Sequence, residues 1–420
     1  GKTVTAKASQ WRGKLKQLKW AVSGYGTVFN QNAQGVIPKI LEDWYNTRKK
    51  YQKLKATSDD PIKKVYYDKL QYTYKIKLNA FYGALTNQYF RFFDLRIGES
   101  TTGTGRMILL HQCAKTCELV DSEYVMPDVK TIDSKTGKTH FGYSDKWSVI
   151  YGDTDSTYFK THGKDTEEAI VFADAIGKMV NASFPQYMKE TFLCNEGYYD
   201  KIKCGREIVS DRGIFVDKKM YMLHIVDNEG ETVDKMKVMG LQMKKTTLPA
   251  AVSKVLIAFV ERFLKGEDWE DIELEILDFK ESLENTENIM EIGLPTGIKK
   301  IEAYTTEYKV NPKVTLPGHI AAAIHYNKCL DDFNDNESIA ITTGMKIKVF
   351  WLTQRHGKFK SLAIPVDIET IPQWFLDNFI VDRKSHAKKL VDKPLEAILN
   401  AIGKEAPSRQ KILTDQLLSF

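Results

Sequence analysis

Nowhere in its 420 residues does the chain hold a run of eighteen apolar residues, which excludes a helix able to span a bilayer. Its opening, GKTVTAKASQWRGKLKQLKW, is basic but has no apolar core and no small-residue cleavage site, so it does not read as a signal peptide and a cytoplasmic setting is expected. Gly1 rather than Met stands first, as in a processed product, an excised piece or one part of a longer protein. Cysteine is scarce. Cys113, Cys117, Cys194, Cys204 and Cys329 are an odd number without paired spacing. They read as reduced thiols packed as small hydrophobes, and no histidine doublet near Cys113 and Cys117 completes a zinc site. Phosphate-binding glycine loops are missing as well. The Gly137-Lys138-Thr139 triplet has Ile132 where a P-loop needs glycine, and Gly24-Tyr25-Gly26 has Phe29 where a kinase-type loop needs its third. Fixed-period repeats and low-complexity tracts are absent too.

What is present is unevenly charged. Residues 1–100 hold 19 lysines and arginines against 7 aspartates and glutamates, while the other 320 hold 42 against 48. A basic quarter on a mildly acidic remainder suits either one polyanion-facing region or a solvated basic helix surface. That quarter opens as loop and short strand over 1–35. From Val36 onward Ile37, Ile40, Leu41, Trp44, Tyr45, Tyr51 and Leu54 recur at helical spacing, and Asp60-Pro61 starts a second helix reaching about Asn87. The two predict an antiparallel helical hairpin. A third helix is expected over 105–120, and a strand, tight turn and strand over 145–160. A helix then follows at 165–192, with strands at 198–209, 213–227 and 234–241 and a mostly helical remainder.

Within 145–160, Tyr151-Gly152-Asp153-Thr154-Asp155-Ser156 puts two aspartates at a hairpin tip between apolar arms. Carboxylates two residues apart on extended chain point to one side and repel. A divalent cation removes the conflict, and magnesium commonly takes one or two carboxylates plus substrate phosphates. A plain polar turn is the alternative. An EF-hand loop is excluded, because its sixth position is Tyr158 and its twelfth is Lys164. On the second helix, Asn79, Tyr82 and Gly83 lie at about 40°, −20° and 80° from Lys75, so the four share a face. Lysine and amide offer donors to phosphate oxygens, tyrosine a stacking ring, and glycine a close approach. An amphipathic helix with an incidental lysine is the alternative.

These segments resemble motifs C and B of family B DNA polymerases, in that family's order. The resemblance is closest to replicative polymerases of large tailed bacteriophages and spans most of 20–420. It implies an α+β fold of right-hand architecture, with an entry segment over 1–30 and helical-hairpin fingers over 31–100. A palm with an antiparallel sheet and the catalytic hairpin would occupy 101–247, and a mostly helical thumb 248–420. It implies template-directed DNA synthesis from dNTP on a primer–template by two Mg2+ ions. Asp155 would hold both ions, Asp153 would support it, and Glu207 would be an auxiliary carboxylate. Lys75, Asn79, Tyr82 and Gly83 would meet the nucleotide. Asn46-Thr47-Arg48 resembles the segment whose arginine binds the triphosphate. Lys218, Lys219 and Tyr221 match a palm hairpin that contacts primer–template, and Lys245 suits a phosphate contact. The family often has serine where Ala80 stands, and Met220 replaces a common basic residue.

No segment resembles the family's motif A, Asp-x-x-Ser-Leu-Tyr-Pro-Ser, and the carboxylates of the 3′–5′ exonuclease are missing too. A separate N-terminal polypeptide would supply both, and the isolated chain would be inactive. Leu417, Leu418 and Phe420 resemble a terminal peptide that docks in a sliding clamp, though they equally suit an ordinary tail. A catalytically silent DNA-binding scaffold linked to the clamp is the competing reading.

Overall fold

A computed structural model describes residues 7–121, 131–132, 139–140, 148–199 and 201–409. Helices mix with small antiparallel sheets, the expected α+β class, in two compact units, Gly1–Glu207 and Ile208–Phe420. All five cysteines are free thiols, with Cys113, Cys117 and Cys329 buried. Among the described residues no helix is long and apolar enough to cross a membrane.

The first unit contains α1 (Ala8–Leu18), β1 (Trp20–Val22), β2 (Val28–Asn30), α2 (Val36–Thr57), α3 (Pro61–Leu85) and α4 (Leu95–Asp121). After these come β3 (Thr131–Ile132), β4 (Thr139–His140), β5 (Val149–Asp153), β6 (Ser156–Phe159) and α5 (Thr166–Phe192). The α2–α3 hairpin forms as expected. Asp60 caps α3 by accepting from the backbone of Ile62 at 2.9 Å, and Pro61 follows, where its missing N–H costs nothing. The seam between the helices is aromatic: Trp44 meets Phe81 at 5.7 Å, and Tyr51 lies between Tyr67 at 6.3 Å and Tyr74 at 6.0 Å.

Helix α4 carries the rest of the unit. It begins at Leu95, ten residues before the expected Gly105. Gly98, Gly103 and Gly105 lower helix propensity there, but close packing requires small residues. A methyl group on Gly24, in the β1–β2 turn, would fall 2.6 Å from the carbonyl carbon of Gly103. The turn is pinned by Ser23 Oγ donating to Ser100 Oγ and by the Gly24 N–H donating to Thr104 Oγ1, both at 3.0 Å. Farther along, Cys113 and Cys117 pack with Val149 of β5. Tyr187 of α5 donates its hydroxyl to the Met107 carbonyl at 3.0 Å.

Two expectations for this unit are corrected. Residues 8–18 are helical rather than loop, because Trp11, Leu15 and Leu18 recur at helical spacing despite Gly13. The strand expected from 198 begins only at Ile208. Before it, the Asn181 side chain satisfies both backbone groups of Cys204, donating to its carbonyl at 2.7 Å and accepting from its N–H at 2.8 Å. A backbone bonded in this way has no ladder to join.

The second unit starts with an antiparallel sheet of β7 (Ile208–Asp217), β8 (Met220–Asn228) and β9 (Glu231–Met239), with β8 in the centre. Then come α6 (Ala250–Leu264), α7 (Trp269–Asn285), β10 (Leu294–Gly297), α8 (Ile301–Val310), α9 (Gly318–Asp332), β11 (Lys346–His356) and β12 (Phe359–Pro365). Three helices close it: α10 (Gln373–Asn378), α11 (Arg383–Leu390) and α12 (Asp392–Ala401). Helices predominate in this remainder, as expected, and β10, β11 and β12 add a sheet within its core that was not expected. Val349 and Phe350 are both buried, so the apolar run 349–352 lacks the strict alternation that announces a strand. Buried His386 ties this sheet to the helices. Its Nδ1 donates to the Ile292 carbonyl at 2.9 Å, while Nε2 accepts from the Trp351 N–H at 2.8 Å.

His224 on β8 lies between Asp211, 2.7 Å from Nδ1, and Asp234, 2.9 Å from Nε2. Burial opposes its charge, but the two carboxylates outweigh that and raise its pKa. Stabilisation from the charged ring is therefore present below the unfolded value of about 6.5 and lost as pH rises through the higher folded value. Relative to His224→Gln, the urea midpoint of the natural protein should fall as pH rises above about 6.5. Parallel pH profiles for the two proteins would contradict this. Gly24→Val, whose side chain meets α4 backbone, should destabilise by about 1–3 kcal/mol, read as an earlier urea midpoint by circular dichroism.

Candidate polymerase site

Strands β5 and β6 pair antiparallel with Asp153 opposite Ser156, leaving Thr154 and Asp155 as a two-residue tip. The turn is tight, with the Asp155 N–H donating to the Asp153 carbonyl at 2.6 Å. Thr154 has φ 56, a left-handed conformation that costs a β-branched residue about 1–2 kcal/mol. Its hydroxyl donates to Asp153 Oδ1 at 3.0 Å, and Ser156 Oγ donates to Asp155 Oδ1 at 3.3 Å. Asp155 is exposed and Asp153 half-buried. Both carboxylates thus occupy one strained tip whose donor atoms are all oxygen, a set suited to a hard divalent cation.

The root of this hairpin holds three residues that sequence reasoning missed. Ser148, fully buried, receives Asp121 from the end of α4 at its backbone N–H, 3.0 Å away, and at its hydroxyl. His162 Nε2 meets the same hydroxyl from beyond β6 and lies 3.8 Å from Asp121. Ser148 is 27 residues from Asp121 and 14 from His162, so no local pattern announces them. Thr157 on β6 adds a contact to Cys113 Sγ at 3.3 Å. The acidic tip is therefore clamped to α4 at its base.

Helix α4 also receives the end of α3. A methyl group on Gly98 would fall 2.3 Å from Thr86 Cγ2 and 3.9 Å from the Tyr82 ring, so the α3–α4 corner depends on that glycine. The four residues expected to meet a nucleotide share one exposed face of α3. Tyr74 and Phe81 turn toward α2, while Lys75, Asn79, Tyr82 and Gly83 lie about 80–180° away from that seam, and all four are exposed. A methyl on Gly83 would meet nothing, leaving room for an approaching group. Arg48 behaves differently. It is half-buried in the helical hairpin and donates through Nε to Gln71 Oε1 at 3.4 Å. Gln71 is one turn, about 6 Å, before Lys75 on α3, so the two cations lie at neighbouring levels.

Glu207 is exposed, just ahead of β7. In the second unit, Lys218 and Lys219 form the two-residue turn between β7 and β8, both exposed, with Lys219 at φ 61. Tyr221 does not join them at the surface. The residue is only 6% exposed, and its ring stacks on Phe215 at 5.5 Å. Lys245 lies in an exposed run of 244–247 that links the sheet to α6. Leu417, Leu418 and Phe420 lie outside the described residues.

Residues 2–314 match the sequence profile of DNA polymerase family B. The chain belongs to that family. It is 26% identical to the bovine DNA polymerase delta catalytic subunit over 235 residues, 56% of this chain and 18% of the relative. Against the same subunit of Schizosaccharomyces pombe it is 28% identical over 264 residues, 62% of this chain and 21% of the relative. A DNA polymerase of Thermococcus gorgonarius is 26% identical over 246 residues, 59% of this chain and 26% of the relative. The matched stretch thus spans about a fifth to a quarter of each relative.

Ser148→Ala removes the hydroxyl that joins Asp121 and His162. Amide protons over 149–159 should exchange about 10-fold faster, matching the roughly 1–2 kcal/mol that a lost charge-assisted bond costs. Unchanged protection in hydrogen-exchange mass spectrometry would show that the clamp does not hold the hairpin.

Proposed function

We propose that the chain provides the nucleotide-binding face and part of the metal-binding carboxylate set for template-directed DNA synthesis, with dNTP and a primer 3′-OH as substrates. One observation carries the reading: in a member of this family, the acidic tip and the corner bearing Tyr82 and Gly83 are mounted on one helix, α4. In this reading α2 and α3 are the fingers, the residues from α4 to 247 the palm, and the remainder the thumb.

Asp155 and Asp153 would hold Mg2+, with Glu207 as an auxiliary carboxylate. When bound, paired ions of this kind activate the attacking hydroxyl and stabilise charge on the leaving phosphates. The chain's own residues do the positioning. Arg48 exchanges its weak contact with Gln71 for the triphosphate, where its forked donors suit phosphate oxygens. Lys75 adds a second cation one turn along, and Asn79 adds an amide. Tyr82 offers its ring to the base or sugar, and Gly83 leaves the space beside it open. Lys218, Lys219 and Lys245 meet backbone phosphates of primer–template, contacts that set position rather than sequence preference. Buried Tyr221 fixes the strand behind the lysine turn.

The motif A aspartate and the exonuclease come from polypeptide outside these 420 residues, in this proposal a separate N-terminal chain. The apolar residues Leu417, Leu418 and Phe420 dock in a sliding clamp.

Primer extension tests the whole. The chain with a polypeptide carrying the missing aspartate should extend a primer in Mg2+, and the chain alone should not. Asp155→Asn should lower the reconstituted rate at least about 1,000-fold, as loss of charge stabilisation at the reacting phosphate does. Lys75→Ala should raise the KM for dNTP by about 10- to 100-fold, the loss of a bond between charged groups. Strong extension by the chain alone would refute the shared site. Wild-type extension by Asp155→Asn would support a DNA-binding scaffold instead.

A further inference from the structure

The geometry points to a second metal site, of different chemistry, in the second unit: His325, Cys329 and His356 as three ligands of a zinc-class ion. It is independent of the polymerase reading. His325 and Cys329 stand four apart on α9, where that spacing puts both on one face, and His356 comes from the end of β11. One ligand atom from each lies within 4.8 Å of the others. His325 and Cys329 are fully buried, whereas His356 is exposed and gives an ion a way in.

The surroundings suit ligation. His325 Nδ1 lies 2.9 Å from the Ser361 carbonyl, and only a protonated nitrogen can bond there. That bond directs the lone pair of Nε2 toward His356 Nδ1, 2.8 Å away. A ligating histidine held by a backbone carbonyl through its other nitrogen is a recurrent outer-shell arrangement. Phe359 stacks on His325 at 4.6 Å, and Phe379 meets His325 at 5.6 Å and His356 at 5.3 Å, so aromatic rings wall the site.

Thiolate and imidazole select a borderline ion over the magnesium or calcium that oxygen ligands prefer. Tetrahedral zinc with Zn–N bonds near 2.0–2.1 Å needs the two nitrogens about 3.3 Å apart, an opening of about 0.5 Å that exposed His356 can supply. Two proton shifts balance the step. The Cys329 thiol releases its proton to solvent as the Zn–S bond forms, and His356 moves its proton from Nδ1 to Nε2. Water fills the fourth position, and the ion joins α9 to β11.

Metal-free full-length chain, titrated with Zn2+ against a chromogenic chelator in excess Mg2+, should bind one ion per chain. Co2+ in its place should give a thiolate-to-cobalt charge-transfer band. His356→Ala, at an exposed position, should leave the metal-free chain folded, with an unchanged circular dichroism spectrum. It should weaken Zn2+ binding by more than about 100-fold, since losing even an outer-shell partner costs 10- to 100-fold. Cys329→Ala should abolish the cobalt band. If the cobalt band is absent, or Zn2+ affinity is unchanged in either variant, the site is only a hydrogen-bonded histidine pair and the inference fails.

Discussion

Two carboxylates forced onto one β-turn repel, and the first unit is built to hold them there. Asp153 and Asp155 sit at a tip where Thr154 accepts a left-handed backbone and where neighbouring hydroxyls each donate to one carboxylate. The repulsion is tolerable because the hairpin is anchored elsewhere. Asp121, Ser148 and His162 clasp its root, and Val149 is buried against Cys113 and Cys117. The strained acidic tip is thereby held on a rigid base.

Helix α4 connects that local constraint to the rest of the unit. Its small residues let the β1–β2 turn and the end of α3 approach closely, and its later half accepts β5, β6 and α5. From Gly98, at the α3 corner, to Cys113, at the hairpin, the axis rises about 22 Å. One rigid rod therefore sets the spacing between the acidic tip and the base of the basic helical pair. The same glycines that weaken the helix locally give it this role. Propensity yields to packing.

The parts legible in the sequence were those written in short-range patterns. Asp60-Pro61 started α3 where expected, the two-residue acidic turn stood between its strands, and the spacing of Lys75, Asn79, Tyr82 and Gly83 gave the face that is exposed. What escaped depends on contacts far apart in the chain. Asp121 and Ser148 are 27 residues apart, and the bonds from Asn181 that keep Cys204 out of a strand span 23. Alternation placed Tyr221 on a strand but could not say which face would be covered, and stacking on Phe215 buries it. In β11 the apolar run 349–352 lacks alternation and hid the strand, and the meeting of His356 with His325 spans 31 residues.

The central claim is that the tip at Asp153 and Asp155 holds divalent ions beside a nucleotide's phosphates. Iron-mediated cleavage tests it directly. Fe2+ is exchanged for Mg2+ in the reconstituted enzyme with primer–template and dNTP, and ascorbate then cuts the backbone nearest the bound ion. The account predicts cleavage centred on 153–156 that Mg2+ suppresses and Asp155→Asn removes. Cleavage centred anywhere else, or persisting unchanged in the variant, would contradict it.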